Sequence, residues 1–170
     1  MKKFTQGLVL ALLFSIGFSA HAQEHVHGQG ELLIAQEGSS LQMQFIIPAA
    51  DALGFEHQAT NSSQKKVINV LAQQLKNANK AIDIPRQCIL KNTENSLTGY
   101  LVDEDHDDNH DHHNIEATYH FSCETPVNGF SITLFSLMPS LNELHVQWIN
   151  NEGQGSSKVT RNQPVINWKS

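Results

Sequence analysis

Four histidines lie close together in the acidic segment 103–114, whose sequence is DEDHDDNHDHHN. They are His106, His110, His112 and His113, and the same twelve residues carry six Asp or Glu side chains and no apolar side chain. Neutral imidazole is the commonest metal ligand near neutral pH, and zinc takes nitrogen and oxygen ligands, usually four in a tetrahedron. The segment therefore predicts a flexible loop that binds a transition metal, zinc first. The alternative is a solvated charged run.

A second group of candidate ligands lies outside this loop. His25 and His27 are two residues apart, so their side chains share a face of an extended chain and can hold one metal ion with partners from elsewhere. His57, in the segment GFEH, is a candidate to complete such a site. Glu116 directly follows the histidine loop and opens a predicted strand, so it can anchor a metal on a rigid element. The alternative for His25 and His27 is a frayed polar terminus.

The first 22 residues read as a secretory signal peptide. A short cationic start, Met1 to Lys3, precedes the apolar run LVLALLFSIGF at 8–18 and the small-residue pattern Ala20-His21-Ala22. The apolar run is too short to span a bilayer comfortably. Cleavage after Ala22 predicts an exported protein with a mature domain over residues 23–170. His25 would then be the third residue of the mature chain. Its imidazole and the free N-terminal amine could form a square-planar site for copper(II) or nickel(II), which is the alternative to zinc.

Composition narrows the remaining functions. Removing 22 of the 170 residues leaves 148, which suits one domain, and leaves 9 basic against 17 acidic side chains. Such an acidic chain is a poor candidate for binding nucleic acid or an anionic membrane.

Cys88 and Cys123 are most simply a disulfide in an oxidising compartment, and a pair of thiolate metal ligands is the alternative.

Apolar periodicity predicts an α+β fold with a mostly antiparallel sheet and one main amphipathic helix. Alternation predicts a hairpin from strands at 31–35 and 41–47, and further strands at 115–123 and 144–149. A helix is expected over 64–78, capped by Ser62 or Ser63, with Val67, Val70, Leu71 and Leu75 on its buried face. Shorter strands are expected within 82–90, 97–102, 158–160 and 165–168, with loop at 91–99 and a turn at Gly153 and Gly155.

Motifs for enzyme chemistry are missing from the sequence. It contains no H-E-x-x-H segment, no G-x-S-x-G elbow and no phosphate-binding glycine loop. A loop of histidines is also a poor scaffold for a catalytic metal, which needs fixed ligands and an open position. We therefore expect a protein that is not an enzyme. A non-catalytic interaction module with incidental histidines is the other alternative.

Several segments, taken in order, resemble one known family, the ZrgA family of zinc-regulated periplasmic proteins of Gram-negative bacteria. The segments are EHVHG (24–28), GFEH (54–57), C-x-L (88–90), the histidine-rich loop, HNIEATYHFSC (113–123), LFSLMPSLNELHVQWI (134–149) and GQ…VT (153–160). They cover nearly the whole predicted mature chain, and their order and spacing are more specific than any single motif.

The resemblance implies a periplasmic zinc-binding accessory protein that captures or buffers zinc. It also implies a partner, the solute-binding protein of a zinc ABC transporter, to which the ion would pass. By matching position, the fixed metal ligands would be His25 and His27 in the first motif, His57 in the second, and His113 with Glu116 in the third. His106, His110 and His112 correspond to a region of the family that varies in length and histidine content.

Overall fold

The computed structural model describes residues 26–83, 85–97 and 114–168, and within them the chain forms nine strands and two α-helices. The strands are β1 (Gln29–Glu37), β2 (Ser40–Pro48), β3 (Ile82–Asp83), β4 (Cys88–Asn95), β5 (Asn114–Cys123), β6 (Gly129–Ile132), β7 (Glu143–Asn150), β8 (Gly153–Thr160) and β9 (Val165–Asn167). The helices are α1 (Ala49–Leu53) and α2 (Ser62–Leu75).

The strands form two sheets. The larger has the order β4-β5-β2-β1-β7-β8, and the smaller has the order β3-β6-β9. Every neighbouring pair is antiparallel except β1 and β7, which run parallel. The predicted hairpin of β1 and β2 is confirmed, and so is the mostly antiparallel sheet. The parallel pair was not foreseen, because its strands are separated by more than a hundred residues.

One face of the larger sheet is buried. In β5, Ile115, Ala117, Tyr119, Phe121 and Cys123 point into the core, and the intervening polar residues point to the open face. This is the period-2 pattern of a half-buried strand. The buried residues of both sheets and of α2 form one continuous hydrophobic core.

Helix α2 packs on that core with a face that differs in part from the prediction. Ile68, Leu71, Ala72 and Leu75 are buried, whereas Val67 and Val70 are 41% and 48% exposed. The buried set follows the i, i+3, i+4, i+7 spacing of one helix face, and Val67 and Val70 lie at its edge. The helix also begins on a different cap, because the side chain of Asn61 accepts a hydrogen bond from the backbone N–H of Gln64 at 3.0 Å.

The predicted strand within 82–90 and loop at 91–99 were wrong in their boundaries. The segment divides at Pro85 into β3, which belongs to the smaller sheet, and β4, which pairs with β5 as an edge strand. β4 carries polar residues on both faces beyond Leu90 and a bulge at Lys91, so it lacks the alternation that reveals a half-buried strand.

The predicted turn at Gly153 and Gly155 is in fact the start of β8. Gly155 lies against the indole of Trp148, and a Cβ added there would fall 2.5 Å from Cζ2 of that ring. The glycine is therefore required for close packing and not for a turn. With these additions the described residues are richer in strand than the predicted α+β class implies. None of the helices in this part of the chain is long and apolar enough to cross a membrane.

Candidate metal-binding end of the sheet

Several predicted ligands belong to segments that meet at one end of the larger sheet. β5 and β1 both run antiparallel to β2, and β7 runs parallel to β1, so β5, β1 and β7 all begin at the same end. We call this the histidine end. His27 is two residues before β1, and residues 98–113 precede β5. β2 finishes here at Pro48 and continues through α1 towards His57.

The His27 side chain is exposed on a turn that opens β1. The N–H of Gln29 donates to the carbonyl of Val26 at 3.1 Å, which closes the turn. Gly28 has a φ of 81°, a left-handed conformation that favours glycine, and its carbonyl accepts from the N–H groups of Asn142 and Glu143. His27 therefore lies on a backbone that is hydrogen-bonded on either side.

His57 is exposed as well, and its ring is oriented by two local contacts. Its Nδ1 lies 2.7 Å from the carbonyl oxygen of Gln58, and its ring centroid lies 5.4 Å from that of Phe55. A carbonyl oxygen can only accept, so Nδ1 carries the proton and Nε2 of the neutral ring presents a lone pair. Metal-bound histidines usually donate their second ring N–H in this way. His57 is therefore in the tautomer that can bind a metal through Nε2.

Glu116 is on the open face of β5. Its side chain accepts a hydrogen bond from Nε2 of Gln44 at 3.1 Å, and its backbone N–H donates to Oγ of Ser96. The pairing of β5, β2 and β1 aligns Glu116 with Ile46 and Ile46 with Glu31, so the two acidic residues are two strand spacings apart, about 10 Å between Cα atoms. Glu116 thus adds a carboxylate to the histidine end.

The structure adds a polar cluster that the sequence reasoning missed. Oε1 of Glu143 is 3.0 Å from Nε2 of His145 and 2.8 Å from Nζ of Lys158. The hydrogen bond from Lys158 holds the pKa of the Glu143 carboxyl below its usual range, and His145 lowers this pKa further. The spacing of Glu143 and His145, two apart on a strand, was visible in the sequence. Their strand's place next to β1 was not.

The other predicted ligands, His25, His106, His110, His112 and His113, lie outside the described residues. Among residues 26–83, 85–97 and 114–168, no three His, Cys, Asp or Glu side chains are grouped so that they could hold a metal ion. His27 and Glu116 lie at one end of the sheet, and His57 follows the strand that finishes there, but these residues do not form a complete site by themselves.

The predicted disulfide is confirmed. Cys88 and Cys123 are bonded to each other and pair directly across β4 and β5. They lie at the end of the β4–β5 hairpin that is opposite to the histidine end. We call this the disulfide end. Since both sulfurs are in the bond, the described donors at the histidine end are imidazole and carboxylate groups, which suit zinc.

Comparisons with known proteins agree with this donor set. A search of curated proteins found no match to the chain. The model of the ZrgA family, described as zinc uptake proteins, matches residues 24–168, which include the described elements and the histidine-rich segment. The chain belongs to the ZrgA family of zinc uptake proteins.

Proposed function

We propose that this protein is a periplasmic, non-enzymatic accessory protein that captures zinc and passes it to the solute-binding protein of a zinc ABC transporter. The fixed ligands would come from His25, His27, His57, His113 and Glu116. His106, His110 and His112 would collect zinc from solution before it reaches them. Zinc is here the cargo of the protein and not a resident cofactor.

The observation that supports this proposal most is the convergence of segments at the histidine end. Three sheet neighbours, β5, β2 and β1, bring together a segment that follows the acidic histidine loop, one that leads to His57, and one that follows His27. These segments are distant in the sequence and share no other predicted chemistry. Because no three described side chains are grouped as a metal site, His25 or residues of the histidine loop would have to complete the ligand set.

The described side chains suit capture and release. His27 and His57 are exposed, so an incoming zinc ion can reach them without opening the core. Nε2 of His57 presents a lone pair while Nδ1 is held by the Gln58 carbonyl, which fixes the direction of the bond to the metal. Exposure also allows a second protein to approach and exchange ligands. The acidic residues of the loop raise the local concentration of cations.

Zinc titration calorimetry on protein lacking residues 1–22 tests the proposal. At pH 7.5, His27→Ala and His57→Ala should each weaken binding by more than about tenfold, because losing a ligand costs more than losing an outer partner. His120→Ala is the matched control. It faces the same side of β5 as Glu116 but lies about 13 Å further along the strand.

Changing the pH and removing the loop separate two parts of the proposal. Protons compete with zinc for free imidazole, whose ordinary pKa is about 6.5, so lowering the pH to 5.5 should weaken binding about tenfold per imidazole ligand. Deleting residues 104–112, which removes the collecting histidines but keeps the proposed fixed ligand His113, should lower the number of zinc ions bound. Zinc binding that is unchanged in His27→Ala, His57→Ala and the deletion would refute the proposed site.

Transfer requires its own measurement. Zinc-loaded protein should lose its metal to the purified solute-binding protein faster than to a chelator of equal affinity and concentration. Equal rates would mean that zinc simply dissociates and is recaptured, and the transfer part of the proposal would then fail.

A further inference from the structure

We propose that Asp51 is a positioning residue for the zinc site, and that its buried carboxylate fixes the backbone next to His27 relative to the segment that carries His57. This inference rests on the proposed function, because it treats both histidines as ligands of one site. Asp51 itself would not touch the metal.

The burial of Asp51 is the first observation. Its side chain lies in α1 and only 4% of the residue is exposed, whereas acidic residues are almost never fully buried without a partner. Its Oδ2 accepts a hydrogen bond from the backbone N–H of Gly28 at 2.8 Å. The two residues are 23 positions apart, so the bond joins α1 to the turn that opens β1.

The partner, Gly28, is the residue directly after His27. Its N–H is held by Asp51, and its carbonyl is held by the N–H groups of Asn142, at 2.8 Å, and Glu143, at 3.0 Å. A Cβ at this position would lie 2.8 Å from Nδ2 of Asn142, so only glycine fits here without a movement of the Asn142 side chain. Asp51 is therefore one of three groups that fix the backbone of Gly28, the residue next to His27.

Asp51 is also joined to His57 by a short and ordered path. α1 ends at Leu53, and the N–H of Gly54 donates to the carbonyl of Ala50 at 2.9 Å in a left-handed cap. Phe55 follows and packs its ring against that of His57. A displacement of α1 away from Gly28 would thus change the separation of His27 and His57.

Metal affinity depends on ligands that are held in place before the ion arrives, because ordering them on binding reduces the affinity. Breaking the Asp51–Gly28 bond should therefore weaken zinc binding although neither residue supplies a ligand. Partners that hydrogen-bond directly to a metal ligand are worth about 10-fold to 100-fold in metal affinity, and we expect Asp51, which acts through the backbone, to lie at the lower end of this range.

Calorimetric zinc titrations of Asp51→Ala and Asp51→Asn at pH 7.5, below the unfolding temperature of each, test the inference. Asp51→Ala should bind zinc about tenfold more weakly than the unaltered protein. Asp51→Asn has the same size and keeps an oxygen that can accept the Gly28 N–H, so it should remain within about threefold. An Asp51→Asn variant as weak as Asp51→Ala would overturn a positioning role.

A double-mutant cycle separates positioning from a general loss of structure. In the His27→Ala background, Asp51→Ala should cause no further loss of zinc affinity, because the residue it positions is already gone. A full tenfold loss in that background would overturn the inference. If His27→Ala and His57→Ala both bind zinc like the unaltered protein, the proposed site itself fails. If those two variants lose affinity and Asp51→Ala does not, only the role of Asp51 is overturned.

Amide exchange keeps the inference testable should Asp51→Ala not fold. Coupling is reciprocal, so zinc must strengthen the Asp51–Gly28 bond by the same factor by which that bond strengthens zinc binding. Saturating zinc should slow hydrogen exchange of the Gly28 amide about tenfold in the unaltered protein and leave it unchanged in His27→Ala. An unchanged Gly28 amide in zinc-bound unaltered protein would overturn the inference.

Discussion

The two ends of the β4–β5 hairpin differ in what holds them. At the disulfide end, Cys88 and Cys123 are buried and bonded, and the N–H of Cys123 donates to the carbonyl of Ser39 at 2.7 Å. At the histidine end, the described candidate ligands are exposed and make mainly local or surface hydrogen bonds. The disulfide therefore fixes the register of β4 and β5 at one end, whereas the candidate ligands at the other end are accessible to solvent.

This separation suits the proposed function, in which the protein must both persist in an exported compartment and exchange its cargo. Ligands buried in the core would be rigid but slow to release an ion, whereas exposed ligands on an unanchored hairpin would not stay close together. A covalent bond at one end and exposed donors at the other avoid both problems. Four predictions test how complete the separation is.

The largest expected effect is at the disulfide end. Replacing Cys88 and Cys123 by serine removes a cross-link between residues 35 positions apart, which should lower the free energy of unfolding by about 4 kcal/mol in the chain-entropy model. Urea unfolding at pH 7.5 measures this loss. As a control, His27→Ala should change stability by less than about 0.5 kcal/mol, since its side chain is exposed. A similar loss in both variants would contradict the separation.

A smaller effect is expected between the two ends, where β5 meets α2. The hydroxyl of Tyr119 is buried and donates to the carbonyl of Leu75 at 2.8 Å, so Tyr119→Phe should cost about 1–2 kcal/mol by leaving that carbonyl without its donor. Zinc affinity should not change. A tenfold loss of zinc affinity would show that the core and the histidine end are coupled.

Tyr119 also gives this core contact a pH dependence. Burial raises the pKa of its hydroxyl above the usual value of 10, so the unfolded chain releases this proton at a lower pH than the folded chain. The contribution of the Tyr119 hydroxyl to the free energy of unfolding is therefore complete below pH 10 and is lost as the pH rises above 10. The stability advantage of the unaltered protein over Tyr119→Phe should shrink between pH 9 and 11 in urea unfolding experiments.

The smallest effect is expected from the ion pair at the histidine end. Glu143→Gln should cost less than about 1 kcal/mol, because Lys158 is largely exposed and such pairs are weak in water. The pKa of Glu143 is lowered in the fold, so the contribution is present above the unfolded value of about 4.3 and is lost as the pH falls through the folded value. Urea unfolding of both proteins at pH 7 and pH 3 measures this difference in stability. A loss above about 2 kcal/mol in Glu143→Gln would show that the histidine end contributes substantially to the stability of the fold.

Much of the fold could be predicted where one sequence pattern decides one local structure. The alternation in β5 and β7 gave both their existence and their buried face, and the two cysteines gave the disulfide. The prediction of the buried face of α2 was partly wrong, because Val67 and Val70 are as apolar as the residues that the core buries. β4 was missed beyond Leu90 because an edge strand with polar residues on both faces has no period to detect.

The candidate site divides in the same way. Residue chemistry alone predicted imidazole and carboxylate groups as candidate ligands and zinc as their metal, because the ability to donate to zinc belongs to the side chain. Strand order decides which of the segments that carry them are neighbours, since β1 and β5 flank β2 only in the folded sheet. The roles of Glu143 and Asp51 also depend on this order, because their partners Lys158 and Gly28 are 15 and 23 residues away in the chain. Tertiary structure therefore determined the neighbours of each candidate ligand, whereas the sequence determined its chemistry.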